Sequence, residues 1–422
     1  MTKKVFLALT FLFIFSILAA HVYLTRIAIE PQSCVFTHEA EASNSIQTQE
    51  GLFPILETGL WGFMDSTGRV IIEPKFREVD TFSEGLAAFK SIYDGRWGYI
   101  DTSGEIVIEP VYDAAFSFRE GRAIVIVSGS YGAIDKAGEY VIEPIHKRIE
   151  GFFQGRAFIL VDTSWMLVDE NGNYVTQNSF KQVNSFREGL ASFVGFNGDY
   201  SVSGYLNRNG EVSILLPDEL NVHIEALGFT QGRAVVSRKK PTSLSHLFSP
   251  WEWGDGVYGL IDKSGEVVVP TRYDFIMVDS NCTARVAIRD RYGVIDLSGN
   301  VLIPMRYSYL GGFSEGLVIA QRIPDGKYGY INEQGRFIIE PIQVIDDFMR
   351  FSNFRNFYDG RALFEGTNGK YGYIDKQGNL VIEPVFDKAF PFVDRLAKFE
   401  NSGQWGYIDT AGSIVWRSEA EE

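Results

Sequence analysis

The strongest constraint on this chain is a short phrase that returns along most of its length, usually 34–36 residues apart. An aromatic residue followed by glycine opens it, at Trp61, Trp97, Tyr131, Trp165, Tyr258, Tyr292, Tyr328, Tyr371 and Trp405. Ser203 replaces the aromatic in one further copy, and Met166 replaces the glycine in another. Four residues after each anchor stands Asp or Asn, from Asp65 to Asp409; three further on stands Gly in all ten copies, from Gly68 to Gly412. A unit of this size cannot bury an apolar face alone, so neighbours must stack to make a core.

The clearest copy runs W-G-Y-I-D-T-S-G-E-I-V-I-E-P, from Trp97 to Pro110. It reads as a β-hairpin. W-G-Y-I-D is one strand, D-x-x-G is a turn with Asp accepting turn N–H groups and Gly at positive φ, and the Val/Ile run is the second strand. Pro74, Pro110, Pro144, Pro270, Pro304, Pro341 and Pro384 are expected to stop that run, because proline cannot continue a ladder. A connection of about ten residues leads to F-x-E-G-L/R-A, which opens a third strand. The expected fold is all-β: a tandem array of about ten three-stranded antiparallel units over residues 50–422. Glu50-Gly51-Leu52 opens the array with an E-G-L strand, and Ser413-Ile414-Val415-Trp416 closes it with a Val/Ile strand. That phase leaves no strand to exchange between the ends, so an open curved solenoid is favoured over a propeller-like ring. Ten units also exceed the usual propeller, and three strands fall short of its blade.

Composition fits this reading. The 42 glycines supply turns, and the 14% aromatic content follows from the repeat. A net charge of −15 argues against a nucleic-acid partner, which needs a basic surface. Neither Cys34 nor Cys282 stands at C-x-x-C or zinc spacing. Ahead of the array, Lys3 and Lys4 precede the apolar run Val5 to Ala20, which continues weakly to Leu24. Residues 1–29 are therefore expected to be a signal peptide or membrane anchor containing one apolar helix, and residues 30–49 a polar linker. Either reading exports the array, and a membrane is expected to be met only through this segment.

No catalytic constellation emerges. His21, His38, His146, His223 and His246 are scattered, with no metal spacing, and no phosphate-binding glycine loop occurs. A calcium loop needs several carboxylates, whereas each D-x-x-G turn holds one, so capping is the better reading. The Glu of Glu-Pro, at Glu73, Glu109, Glu143, Glu340 and Glu383, is expected to face water. The W-G aromatics and the Phe of F-x-E-G are expected to form the core between units. No cofactor, metal or catalytic residue is expected, and the chain is read as not an enzyme.

On these residues the chain resembles the WG-repeat (KWG) family, known mainly from bacterial proteins. The likeness covers about 370 residues. It departs at Met166, at Ser203, at Asn178 where proline is expected, and at Arg395 where the E-G glycine is expected. The resemblance implies a repeat-built β-protein with an interaction role and brings no catalytic residues.

Binding is expected where the period breaks. An insertion near residues 235–257 carries Arg238, Lys239, Lys240, His246, Phe248, Trp251 and Trp253, a basic cluster beside tryptophans outside the repeat frame. A second, near 343–358, carries Phe348, Phe351, Phe354 and Phe357 at helical spacing and reads as cover for the core. The expected function is a non-catalytic extracytoplasmic scaffold, periplasmic, at the cell surface or secreted, that binds protein or peptide through its repeat surface and inserted loops. A glycan- or cell-wall-binding module using exposed aromatics is the alternative.

Overall fold

In the computed structural model, the described residues are 51–197, 200–222, 228–239, 256–323, 325–343 and 356–419. The chain divides into Met1–Ala40 and Glu41–Glu422, and the array belongs to the second part. The expected N-terminal helix and linker lie outside the described residues.

Every D-x-x-G turn forms as its residues dictate. At the Asp101 turn the carboxylate accepts the N–H of Ser103 at 2.9 Å and of Glu105 at 3.0 Å, while Gly104 sits at φ +83°. The same pair of bonds recurs in all ten copies. The ten glycines all have positive φ. The hydroxyl of Ser103 holds the Asp101 carboxyl below the usual range. Gly265 shows why a side chain is excluded, since at φ +87° a Cβ would also lie 2.8 Å from Ile214 of the preceding unit. Gly265→Val is expected to cost roughly 1–3 kcal/mol in backbone strain alone, measured as a lower denaturant midpoint.

All described regular structure is β. The sequence reading of three strands per unit is corrected to four in most units. Glu78–Val79, Leu86–Lys90, Trp97–Asp101 and Ile106–Tyr112 form one sheet in that order. The added first strand is short and lies before E-G, which is itself a turn. Ser83 and Leu86 exchange backbone hydrogen bonds at 2.9 and 3.2 Å, with Glu84 at φ +54° and Gly85 at +88°. This is a two-residue hairpin with both residues left-handed, a turn signalled far more often by Asn-Gly than by Glu-Gly. Between Val301 and Leu310 the last strand of one unit runs on into the next, giving a seven-stranded sheet.

The prolines do not end the last strand, which runs through Pro110 to Tyr112 and likewise through the other six. Trp97 pairs with Tyr112 and Tyr99 with Ile108, so extra residues are taken up in a bulge at Glu109-Pro110. Proline fits there because the strand lies at the sheet edge and is bulged, so no N–H is missed. The bulge also explains the glycine of W-G. A Cβ on Gly98 would stand 2.4 Å from the Ile108 carbonyl oxygen and 2.8 Å from the Pro110 nitrogen. The copy that carries Met166 in place of this glycine also carries Asn178 in place of the proline, and there Met166 pairs directly with Ser179.

Between units the core is aromatic. The residue after W-G meets the Phe of the next F-x-E-G at 4.8 Å in Tyr99–Phe118 and Tyr373–Phe392, and at 4.9 Å in Tyr205–Phe229. Phe357 belongs to this set, being 1% exposed and 4.9 Å from Tyr330. It is thus a repeat residue rather than part of a helical cover; Phe348, Phe351 and Phe354 lie outside the described residues.

The two ends of the array are in contact, which corrects the expectation of an open array. Each D-x-x-G glycine seats on the last strand of the preceding unit, as Gly104 does on Ile72 and Gly412 on Ile382; Gly68 of the first copy seats on Val415 of the last. Phe53, Ile55 and Met64 share a cluster with Leu396, Tyr407 and Trp416. The Tyr407 hydroxyl donates to the Pro54 carbonyl at 3.1 Å, and Trp416 Nε1 to Glu57 at 3.3 Å. Among the described residues no strand is exchanged between the ends. The ends meet through the side-chain contacts that join any two neighbours, so the phase of the sequence could not exclude this arrangement.

Candidate interaction surface

Two side-chain systems fix the turns of one unit to the next. The Glu84 carboxylate accepts the N–H of Glu120 at 2.6 Å and of Gly121 at 2.9 Å in the following turn. Glu120 does the same to Gln154 and Gly155, at 2.6 and 2.7 Å, and Glu315 to Gly360 at 3.1 Å. Lys136 reaches the Glu84 carboxylate at 3.3 Å, as Lys263 reaches Glu188 at 3.1 Å and Lys376 reaches Glu315 at 2.9 Å. Burial pushes the Glu84 carboxyl up, but the Gly121 N–H and Lys136 outweigh it and hold it below the usual range. A left-handed Glu costs about 1–2 kcal/mol, and charge-assisted bonds of about 1.5–3 kcal/mol each offset that cost. These carboxylates are committed to the scaffold. The sequence reading placed E-G at a strand start and missed this clamp; its signal was a bulky residue held constant before a turn glycine.

A buried ion pair is committed in the same way. Arg285 contacts Asp279 at 2.9 Å with side chains 14% and 10% exposed, and it also donates to the Leu310 carbonyl. Burial pushes the Asp279 carboxyl up. Among the described residues no group of His, Cys, Asp and Glu could hold a metal ion. No described helix is long and apolar enough to cross a membrane.

Of the residues expected to bind, Arg238 is exposed and Lys239 ends its strand, Ala234–Lys239. Arg238 pairs with Val257 and Lys239 with Gly256, so the insertion extends the turn between the second and third strands of its unit. Lys240, His246, Phe248, Trp251 and Trp253 lie outside the described residues.

The described structure points to a surface the sequence reading passed over. The last strand of a unit lies at the edge of its sheet, except that Val301–Leu310 pairs onward from Tyr307, and several of its residues face solvent. Ile106, Val111, Ile145, Leu215, Val301 and Ile414 are 47%, 54%, 74%, 61%, 50% and 55% exposed. The Glu-Pro glutamates are exposed beside them, as expected; Glu340 lies 3.7 Å from Arg322. By contrast, the W-G aromatics Trp61, Trp97, Trp165 and Trp405 are half-buried and Tyr258 is buried, as expected of core between units.

The sequence profile of the WG containing repeat matches residues 61–91, 97–129, 131–162, 165–198, 258–287, 292–327, 328–371 and 371–403. No curated protein matches the sequence. Among solved structures, similarity is found to the dipeptidyl peptidase 4 of Porphyromonas gingivalis, at TM-score 0.42 and 9% identity over 88% of this chain and 59% of that one. A eukaryotic initiation factor matches at TM-score 0.34 and 9% identity, over 68% and 94%. The tricorn protease matches at TM-score 0.30 and 13% identity, over 85% and 45%. At these scores the likenesses carry no argument.

Proposed function

The chain belongs to the WG-containing repeat family, and from that premise we propose that it is a non-catalytic scaffold, a ring of ten WG units that binds polypeptide through its exposed edge strands. The export reading of residues 1–29 favours a scaffold that works outside the cytoplasm, in the periplasm, at the cell surface or secreted. The observation that carries the binding reading is the recurrence of exposed Val, Ile and Leu on the last strand of unit after unit. Exposed apolar surface on a soluble protein marks a contact site when it is contiguous, and cyclic stacking brings equivalent edges side by side. The seating of Gly68 on Val415 supports the ring. The glycan alternative needs open aromatic faces, and the half-buried W-G tryptophans do not supply them. The inserted stretch from Arg238 to Trp253 remains a second proposed contact point.

Photo-crosslinking residues placed at Val107, Val301 and Leu380 of the full-length chain test this in the native envelope. Polypeptide adducts are expected from these edge positions and not from Glu333, an exposed turn position. Binding confined to a glycan array, with no polypeptide adduct from any edge, would contradict the reading.

A further inference from the structure

We infer that the edges of the units anchored on Trp97 and Tyr131 form a docking site for a basic, apolar polypeptide segment. The inference rests on the binding reading above and names its partner. Eight of the nineteen exposed large apolar side chains among the described residues fall between Ile92 and Ile145. Tyr93 is 93% exposed, Ile145 74% and Val111 54%. Val111 stands on the last strand of one unit, Ile106–Tyr112, and Tyr140 and Ile145 on that of the next, Tyr140–His146. The Tyr112 and Tyr140 rings stand 6.5 Å apart across the two edge strands. Arg96, just after the turn that bears Tyr93, donates to the Val111 carbonyl at 3.0 Å.

Charge selects the occupant. Glu109 and Glu143 are exposed on these two strands, Glu105 and Glu139 are exposed just before them, and among the described residues none of the four is in an ion pair. Arg96 is committed to Asp113 at 3.0 Å and Arg148 to Glu150 at 2.9 Å; exposed Lys147 stands at the margin. A second copy of this chain would bring the same carboxylates against themselves, in a molecule of net charge −15. Pro110 and Pro144, with the bulge at each, also blunt the edge against added strands. The occupant therefore docks by side chains, with apolar residues on Val111, Tyr140 and Ile145 and Lys or Arg over the four glutamates.

The test uses the full-length chain and three fluorescent peptides of alternating leucine and a polar residue, the polar residue being Lys, Gln or Glu. The Lys peptide is expected to bind at least about tenfold more tightly than the others and to weaken steeply with salt. Glu105→Gln, Glu109→Gln, Glu139→Gln and Glu143→Gln together are expected to abolish that preference. The same change of charge at Glu73, Glu266, Glu340 and Glu383 is expected to leave most of it. Val111→Ser with Ile145→Ser, both at exposed positions, is expected to weaken binding about tenfold or more without loss of stability. Equal binding of Lys and Gln peptides, or equal loss from both glutamate sets, would overturn the inference while leaving edge-strand binding intact. Unchanged binding in the Val111→Ser, Ile145→Ser protein, or no peptide binding at all, would overturn this site; the photo-crosslinks from Val301 and Leu380 then decide the wider reading separately.

Discussion

Phe53→Ala is expected to destabilise the protein by about 3–5 kcal/mol, the range for removing a buried phenylalanine side chain. Phe53 is 3% exposed and stands where most other copies carry alanine, as at Ala87, Ala123 and Ala157. At the join between first and last copies it packs on Tyr407, with ring centroids 5.6 Å apart. Trp416 likewise stands where Ile72 and Ile108 stand in their copies, and Trp405 meets Trp61 at 5.7 Å. Large side chains thus fill a join that has no connecting strand. A double-mutant cycle with Tyr407→Ala separates the join from local packing. The two residues are more than 350 positions apart, so coupling arises only if the ends touch. Coupling of about 0.5–3 kcal/mol is expected in chemical denaturation. Additive losses would mean that the ends are independent.

Gly98→Val is expected to cost about 4 kcal/mol or more, among the largest effects a single substitution produces. The added Cβ would meet backbone atoms at 2.4 and 2.8 Å, which no rotamer change relieves. The bulge at Glu109-Pro110 must then flatten. The natural copy with Met166 and Asn178 shows the compensated arrangement, so Gly98→Met is expected to be partly rescued by Pro110→Asn. A loss below about 1 kcal/mol for Gly98→Val would contradict the packing of W-G beneath the bulge. Thermal melting of the single and double variants reads both expectations.

The sequence exposed those features whose chemistry is local. Asp and Gly four and seven residues after each anchor define a turn from their own backbone demands, and all ten turns form as expected. The Val/Ile run and the aromatic core follow from periodicity in the same way. The proline misled because its missing N–H matters only where a ladder needs it, and edge position is a property of the sheet. E-G misled because Glu rarely accepts left-handed geometry; here the next unit's N–H groups compensate it, and that contact lies 36 residues away. The contact between the ends was hidden for the same reason, since Gly68 and Val415 become neighbours only after the units between them have stacked. The candidate surface was illegible because exposed and buried residues of an edge strand are equally apolar in sequence. Ile106 and Ile108 differ only in the face they occupy.

Distances between matching turns test the proposed ring most directly. Thr58, Ser128, Asp162 and Ser402 occupy equivalent left-handed turn positions, at φ +50°, +52°, +54° and +52°. Spin labels carried by unnatural residues, which leave Cys34 and Cys282 untouched, give the Thr58–Ser402 distance across the join and the Ser128–Asp162 distance between consecutive copies. The ring predicts that the two distance distributions coincide. A Thr58–Ser402 distribution much longer or broader than the Ser128–Asp162 one would contradict it.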